Sequence, residues 1–418
     1  MRPAWLPLHW ILADSPQENV TITATEPITH GLSGELVAPD WPPLTLDEAD
    51  RVMRHFPAAG TATSLLTISP RPFSAASVVA TPREPVFLKR HALAVRTPQS
   101  LAEEHAFLAH LAANTPLVRP AFTTASGVSA VVQGPWCYEL HPVAPGIDAY
   151  RDALSWTPFF SSGHAHAAGR AMAQLHNAAE GYAAPARGRA QLVTSFTILP
   201  APNPYKAIEH YLAARPRLQA WLGPRHWRAA VEETLSPSFQ TIAETPFAAW
   251  FAGRGSHPMS RHFAPLWTHN DLHASNLTWT SAGPDAKVAA VIDFGLADRT
   301  CALHDLATAI ERNIVEWLRL DEPAATRGPL THPDQLDALI AGYHEIRPLD
   351  PAALTTLAAI LPIVHLEFAL SEADYFLTVL NSPEKTAIAW DGYFLDHARW
   401  FSSLEGQSLL DQIRSFRP

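Results

Sequence analysis

Alternating and short apolar runs mark the first third of the chain, and a longer period marks the rest. LLTISPRPFSAASVVAT (65–81) and PVFLKRH (85–91) are rich in β-formers and broken by Pro and Ser, so they predict strands joined by turns. In SLAEEHAFLAHLAA (100–113), Leu101, Glu104, Leu108 and Leu111 fall at i, i+3, i+7 and i+10, the spacing of one helix face. SAVVQGPWCYELHPV (129–143) predicts a further strand pair. After Pro145-Gly146, residues 158–179, 205–213, 304–320 and 351–380 all read as helices. The pattern predicts an α+β protein in three parts: an extension over 1–60 with one helix at 46–56, a small strand-rich lobe over 61–145, and a helical lobe over 146–418. No internal repeat or low-complexity tract interrupts this order.

One short stretch departs from the helical pattern of the second part. LTWT (277–280) and VAAVIDF (288–294) predict two strands, and SAGPDAK between them carries turn residues. Pairing about Pro284 brings Asn276, just before the first strand, opposite Asp293 at the end of the second. An amide oxygen and a carboxylate together suit a hard cation such as magnesium, which takes few protein ligands and fills its shell with phosphate and water. Asp271, five residues before Asn276, brings a second carboxylate close without having to ligate the ion. It is free to act as a base toward an attacking hydroxyl.

The small lobe offers a second pair. Lysine occurs only at positions 89, 206, 287 and 385, so Lys89 within the apolar strand VFLK stands out. Glu104 lies in the buried stripe of its helix while Glu103 points away. A buried carboxylate needs a charged partner, and Lys89 is the expected one.

HNDLHASN followed by VIDFG, with Asp305 downstream in CALHDLATAIE, resembles the catalytic motif and metal-binding aspartate of the aminoglycoside phosphotransferase and choline kinase family. The resemblance spans roughly residues 65–310 in motif order. It implies a protein-kinase-like two-lobe fold, ATP and Mg2+ as cofactors, Asp271 as catalytic base, and Asn276 and Asp293 on the metal. Lys89 would hold nucleotide phosphates with Glu104 positioning it, and the segment 136–146 would receive the adenine. The phosphate-covering loop (69–79) lacks the glycines of protein kinases. Relatives with serine-containing loops imply Ser74 and Ser77 as phosphate contacts, although the same residues also fit an ordinary Ser-rich turn. His269 is expected to hold the catalytic loop. Asp305 reads first as the N-cap of a helix with the stripe Leu306, Ile310, Ile314 and Trp317, and in relatives it braces that loop. His269 and His273 would suit a zinc pair only on a helix; they precede a strand, and no third ligand follows at zinc spacing.

Composition narrows the function. With 418 residues, 47% hydrophobic and 17% charged, the chain can bury a large core, and its formal charge of −10 argues against nucleic acid as partner. Two cysteines far apart support neither a disulfide framework nor a cysteine metal site. The N-terminal MRPAWLPLHWILADSPQE is interrupted by Pro3, Pro7 and His9, and no uninterrupted apolar run reaches the roughly 18 residues of a membrane helix. A soluble, cytoplasmic protein without membrane partners is expected, of undetermined oligomeric state.

The leading reading is an ATP-dependent O-phosphotransferase acting on a hydroxyl of a small acceptor such as an amino alcohol, homoserine, sugar or aminoglycoside. The alternative is a catalytically silent, kinase-like nucleotide-binding protein. A hydrolase is disfavoured, because no Gly-x-Ser-x-Gly elbow occurs and the His-x-His at 164–166 falls on a helix where the rings diverge. In HLEFALSEADYF, His365, Phe368, Glu372 and Tyr375 form one face and Glu367, Ser371 and Asp374 another, one expected toward solvent and the other toward the acceptor.

Overall fold

Five antiparallel strands in the order β3-β4-β5-β7-β6 form the main sheet: β3 (Ser64–Ile68), β4 (Ala75–Ala80), β5 (Val86–Ala92), β6 (Ala130–Gln133) and β7 (Trp136–Pro142). This computed structural model describes residues 29–30, 36–37, 40–69, 73–187, 191–193, 196–251 and 260–417. Residues 1–28 and positions 70–72 of the loop expected to cover the phosphates lie outside them. Before the sheet come the short paired strands β1 (Thr29–His30) and β2 (Leu36–Val37), then helix α1 (Leu46–Met53), which begins in a capping box between Thr45 and Glu48.

Strand alternation gives the sheet two unlike faces. Leu88, Tyr138 and Leu140 pack with Val52, Met53 and Phe56 of the α1 region. Within that apolar contact Glu48 is buried, and Arg90 at 2.8 Å and the Tyr138 hydroxyl at 2.5 Å both donate to it. The opposite face carries Lys89, His91, Glu139 and His141 toward α2 (Pro98–Asn114), since Lys89 pairs with Glu139 and His91 with Cys137 in the β5–β7 register.

The remainder is mainly helical: α3 (Ser162–Ala179), α4 (Pro204–Ala213), α5 (Pro216–Leu222), α6 (Trp227–Ala243), α7 (Pro246–Phe251), α8 (Ala302–Ile314), α9 (Ala324–Arg327), α10 (Pro333–His344), α11 (Pro351–Ile360), α12 (Leu366–Thr378), α13 (Pro383–Ala387), α14 (His397–Trp400) and α15 (Leu404–Ser415). Two small ladders interrupt it, β8 (Pro265–Thr268) with β11 (Asp298–Cys301) and β9 (Leu277–Trp279) with β10 (Val288–Val291). One core joins the inner side of α2 to these helices.

Two predicted helices are shorter than the pattern indicates. The run 351–380 breaks into α11 and α12 around a tight turn at Leu361–Ile363, where Pro362 has no N–H to continue the ladder. That segment, Pro351–Thr378, does reach the length and hydropathy of a membrane helix, contrary to the reading from uninterrupted runs, but 94% of its most apolar window is buried in the protein. The run 304–320 ends at Ile314, after which Val315 turns extended and bridges to Thr331. Helices α3 and α10 approach so closely that a Cβ on Gly169 would lie 2.1 Å from the Leu339 carbonyl, and one on Gly342 would lie 2.1 Å from that of His166.

Candidate active site

The predicted hairpin is present. Val291 pairs with Leu277, and the Ile292 N–H donates to the Asn276 carbonyl at 2.9 Å, which sets Asn276 beside Asp293. Asn270 and Asp293 take left-handed backbone angles, φ 60° and 58°, which short polar side chains tolerate better than bulky ones. The Asn276 amide nitrogen donates to the Asp271 carbonyl at 2.9 Å and to Asp271 Oδ2 at 3.2 Å, leaving its oxygen as the acceptor. His269 accepts the Asp271 N–H on Nδ1 at 3.2 Å and donates from Nε2 to the Ile292 carbonyl at 2.9 Å, so the imidazole links loop to hairpin.

Asp305 is not an N-cap. Cys301 holds that position, and Asp305 lies inside the first turn of α8, fully buried. Its carboxylate accepts the backbone N–H groups of His269 at 3.1 Å and Asn270 at 2.7 Å, and the His176 ring at 2.9 Å. Those contacts hold its pKa below the usual carboxylate range against the opposing effect of burial.

Lys89 and Glu104 do not form the expected pair. The Lys89 ammonium lies 2.9 Å from Asp293 Oδ1, while Glu104, buried as its stripe predicts, faces Arg187 at 3.6 Å. Burial opposes both charges of the Lys89–Asp293 contact, but the contact outweighs it and holds the aspartate pKa well below, and the lysine pKa well above, their ordinary values. Arg187 further donates to the carbonyls of Gly295, Ala297 and Ser100, joining α2 to the chain just after Asp293. Ser74, Lys89, Asp271, Asn276 and Asp293 line one cavity. Ser77 does not reach it: it is buried in β4 with its hydroxyl on the Thr67 carbonyl, because it falls on a paired strand rather than in the loop.

The model of the phosphotransferase enzyme family matches residues 71–354, more than half of the chain. The chain belongs to that family. An uncharacterized protein of Deinococcus radiodurans is 29% identical to this chain over 267 residues, and the match spans 63% of this chain and 63% of that one. The structure of a microcompartment-associated aminopropanol kinase superposes with a TM-score of 0.56 at 18% identity, covering 87% of this chain and 100% of the other. An aminoglycoside phosphotransferase from Alicyclobacillus acidocaldarius subsp. acidocaldarius DSM 446 gives 0.48 at 16%, covering 90% and 96%. The likeness to the aminopropanol kinase structure concerns the fold alone.

Two further residues, Arg312 and Glu372, line the cavity. Arg312, on α8, lies 3.0 Å from Asp271 Oδ1 and sits over the rings of Trp156 and Phe368, each 5.0 Å away. It falls seven residues after Asp305, two turns on and so on a similar side of the helix; that spacing is the signal in the sequence. Burial raises the Asp271 pKa, and Arg312 opposes the rise. Glu372, on α12, is 3% exposed; burial pushes its carboxyl up to about 8 in spite of Arg312.

Neither face of α12 meets solvent. Phe368, Glu372 and Phe376 line the cavity. On the other face Glu367 accepts from the Thr197 N–H and hydroxyl, Ser371 from the Leu192 N–H, and Asp374 from the Gln191 amide.

Proposed function

We propose that this phosphotransferase transfers the γ-phosphate of ATP to a hydroxyl of a small molecule. The observation that carries the reading is the convergence of Asp271, Asn276, Asp293 and Lys89 on one cavity, with Asn276 beside Asp293, Lys89 on Asp293 and Asp271 hydrogen-bonded to Asn276. The oxygen donors of Asn276 and Asp293 fit Mg2+, because the amide nitrogen of Asn276 is engaged by Asp271 and its oxygen is the group left to ligate. Bound there, the ion would neutralise charge on the phosphate oxygens. Lys89 holds the phosphates, with Ser74 at the loop above them. Glu104 acts on Lys89 through its field across the sheet face, not through a direct pair. Asp271 orients the acceptor hydroxyl and takes its proton. Residues 61–145 hold the nucleotide and 146–418 the acceptor, with 1–60 as an extension. The two free, buried cysteines are compatible with a reducing cytoplasm.

The test is acceptor-dependent ADP release across amino alcohols, aminopropanol included, amino acids such as homoserine, sugars and aminoglycosides. Asp271→Asn is expected to retain nucleotide binding while turnover falls by at least ~10²-fold. Tight ATP binding with no acceptor-dependent release in any class would replace this reading with that of a silent nucleotide-binding protein. Near wild-type turnover in Asp271→Asn would remove Asp271 from the chemistry.

A further inference from the structure

Behind Lys89, on the face of the sheet that looks at α2, three imidazoles close on one carboxylate. Glu139, 2% exposed, takes His105 Nε2 at 2.7 Å and His141 Nε2 at 3.0 Å on its Oε2, and His91 Nε2 at 2.8 Å on its Oε1. The four residues come from three elements: His91 from β5, His105 from α2, and Glu139 and His141 from β7. The ligand atoms of His105, Glu139 and His141 lie within 4.8 Å of one another.

A buried carboxylate requires compensating positive charge. Among the described residues no lysine or arginine makes an ion pair with Glu139; Lys89, directly opposite it in the register, has its ammonium on Asp293 instead. Two imidazole nitrogens and a carboxylate oxygen are a donor set suited to zinc. Around a tetrahedral ion with bonds of about 2.0 Å, neighbouring ligand atoms stand roughly 3.3 Å apart. The observed hydrogen-bond distances of 2.7 and 3.0 Å are shorter than that spacing, so the ring nitrogens need to move apart from the carboxylate by only about half an ångström or less to take an ion between them.

We infer that His105, Glu139 and His141 form a binding site for a zinc-class divalent ion, separate from the proposed magnesium ligands. His91 is the outer partner, fixing the carboxylate through its second oxygen as orienting residues do around metal ligands. His141, 20% exposed, leaves a side open for entry and for water as a fourth ligand. An ion here ties α2 to β7 and takes over from the imidazoles the neutralisation of Glu139. It also weakens the pull of Glu139 on the neighbouring Lys89.

The experiment uses the full chain, stripped of metal and titrated with Co2+ and then Zn2+. One equivalent of Co2+ is expected, with the visible absorption of a low-coordinate nitrogen and oxygen site, displaced by zinc, together with a rise in melting temperature. His141→Ala, at the exposed edge, and Glu139→Gln, which keeps side-chain shape, are expected to abolish that absorption. His91→Ala is expected to weaken binding by about 10–100-fold. Circular dichroism of each variant separates a lost ligand from a lost fold. With 21 histidines in the chain, His166→Ala on the surface serves as the control and should leave binding unchanged. Absence of stoichiometric Co2+, or equal binding by folded wild type, His141→Ala and Glu139→Gln, would overturn the site and leave a hydrogen-bonded imidazole cluster only.

Discussion

A half-buried aspartate, its side chain 17% exposed, beside a buried arginine sets the electrostatics of one part of the cavity. Burial raises the Asp271 pKa and Arg312, 3.0 Å away, restrains it. Replacing Arg312 by Leu removes the restraint, so the Asp271 pKa should rise further. The acid limb of the kcat/KM profile, which requires the carboxylate form, is then expected to move to higher pH; an unmoved limb would separate Arg312 from the titration. Glu372 shows the other sign. Its folded-state pKa of about 8 lies above that of an unfolded glutamate, so the folded protein holds a proton that the unfolded chain gives up. This contribution to stability is full at low pH and is lost as pH rises toward about 8. Glu372→Gln should therefore flatten the fall in melting temperature between about pH 5 and about pH 8, measured by scanning calorimetry. Asp271, Asn276 and Asp293 were legible because turn residues and short strands fix a hairpin locally. Arg312 was less so: Glu311, Arg312 and Asn313 lie outside the stripe Leu306, Ile310, Ile314 and Trp317, yet all three are buried, with Glu311 bonded to His397 far along the chain.

Between elements, the arginine that replaces lysine as the partner of Glu104 changes what α2 contributes. Arg187 connects Ser100 on that helix with Gly295 and Ala297, so the helix is tied to the segment carrying Asp293. Removing one member of a buried pair commonly costs about 3–5 kcal/mol. Arg187→Met is expected to destabilise by that order in urea titrations and, where folded, to raise the magnesium requirement by loosening Asp293. An unchanged requirement would confine Arg187 to stability. The apolar spacing of α2 places Glu104 in the interior, where it lies, but a helical period carries no information on the partner. Arg187 lies on an irregular segment whose position follows from tertiary packing, not from any local period. Helix lengths failed for a similar reason, since Pro362 sits inside an apolar pattern that continues on both sides of it.

At the scale of the whole molecule, strands followed by helices were readable in the chain, and so was the order of its motifs. The approach of α3 to α10 was not, because Gly169 and Gly342 sit in helical stretches where glycine lowers propensity without revealing what it faces. Each faces backbone, which cannot move aside as a side chain can. Gly342→Ala is expected to cost about 1–3 kcal/mol, the range for overpacking, read as a lower urea midpoint. The two helices also carry His176 and Tyr343, whose ring nitrogen and hydroxyl meet at 2.9 Å, and the other nitrogen of that ring bears on Asp305, the anchor of the loop that presents Asp271. A methyl group added at the crossing is thus expected to be felt as a misaimed Asp271 carboxylate in the cavity. Under the proposed function, Gly169 and Gly342 would then be held by the aim of Asp271 as well as by stability although neither lines the cavity, and a drifting relative could lose turnover there while keeping every residue of its cleft.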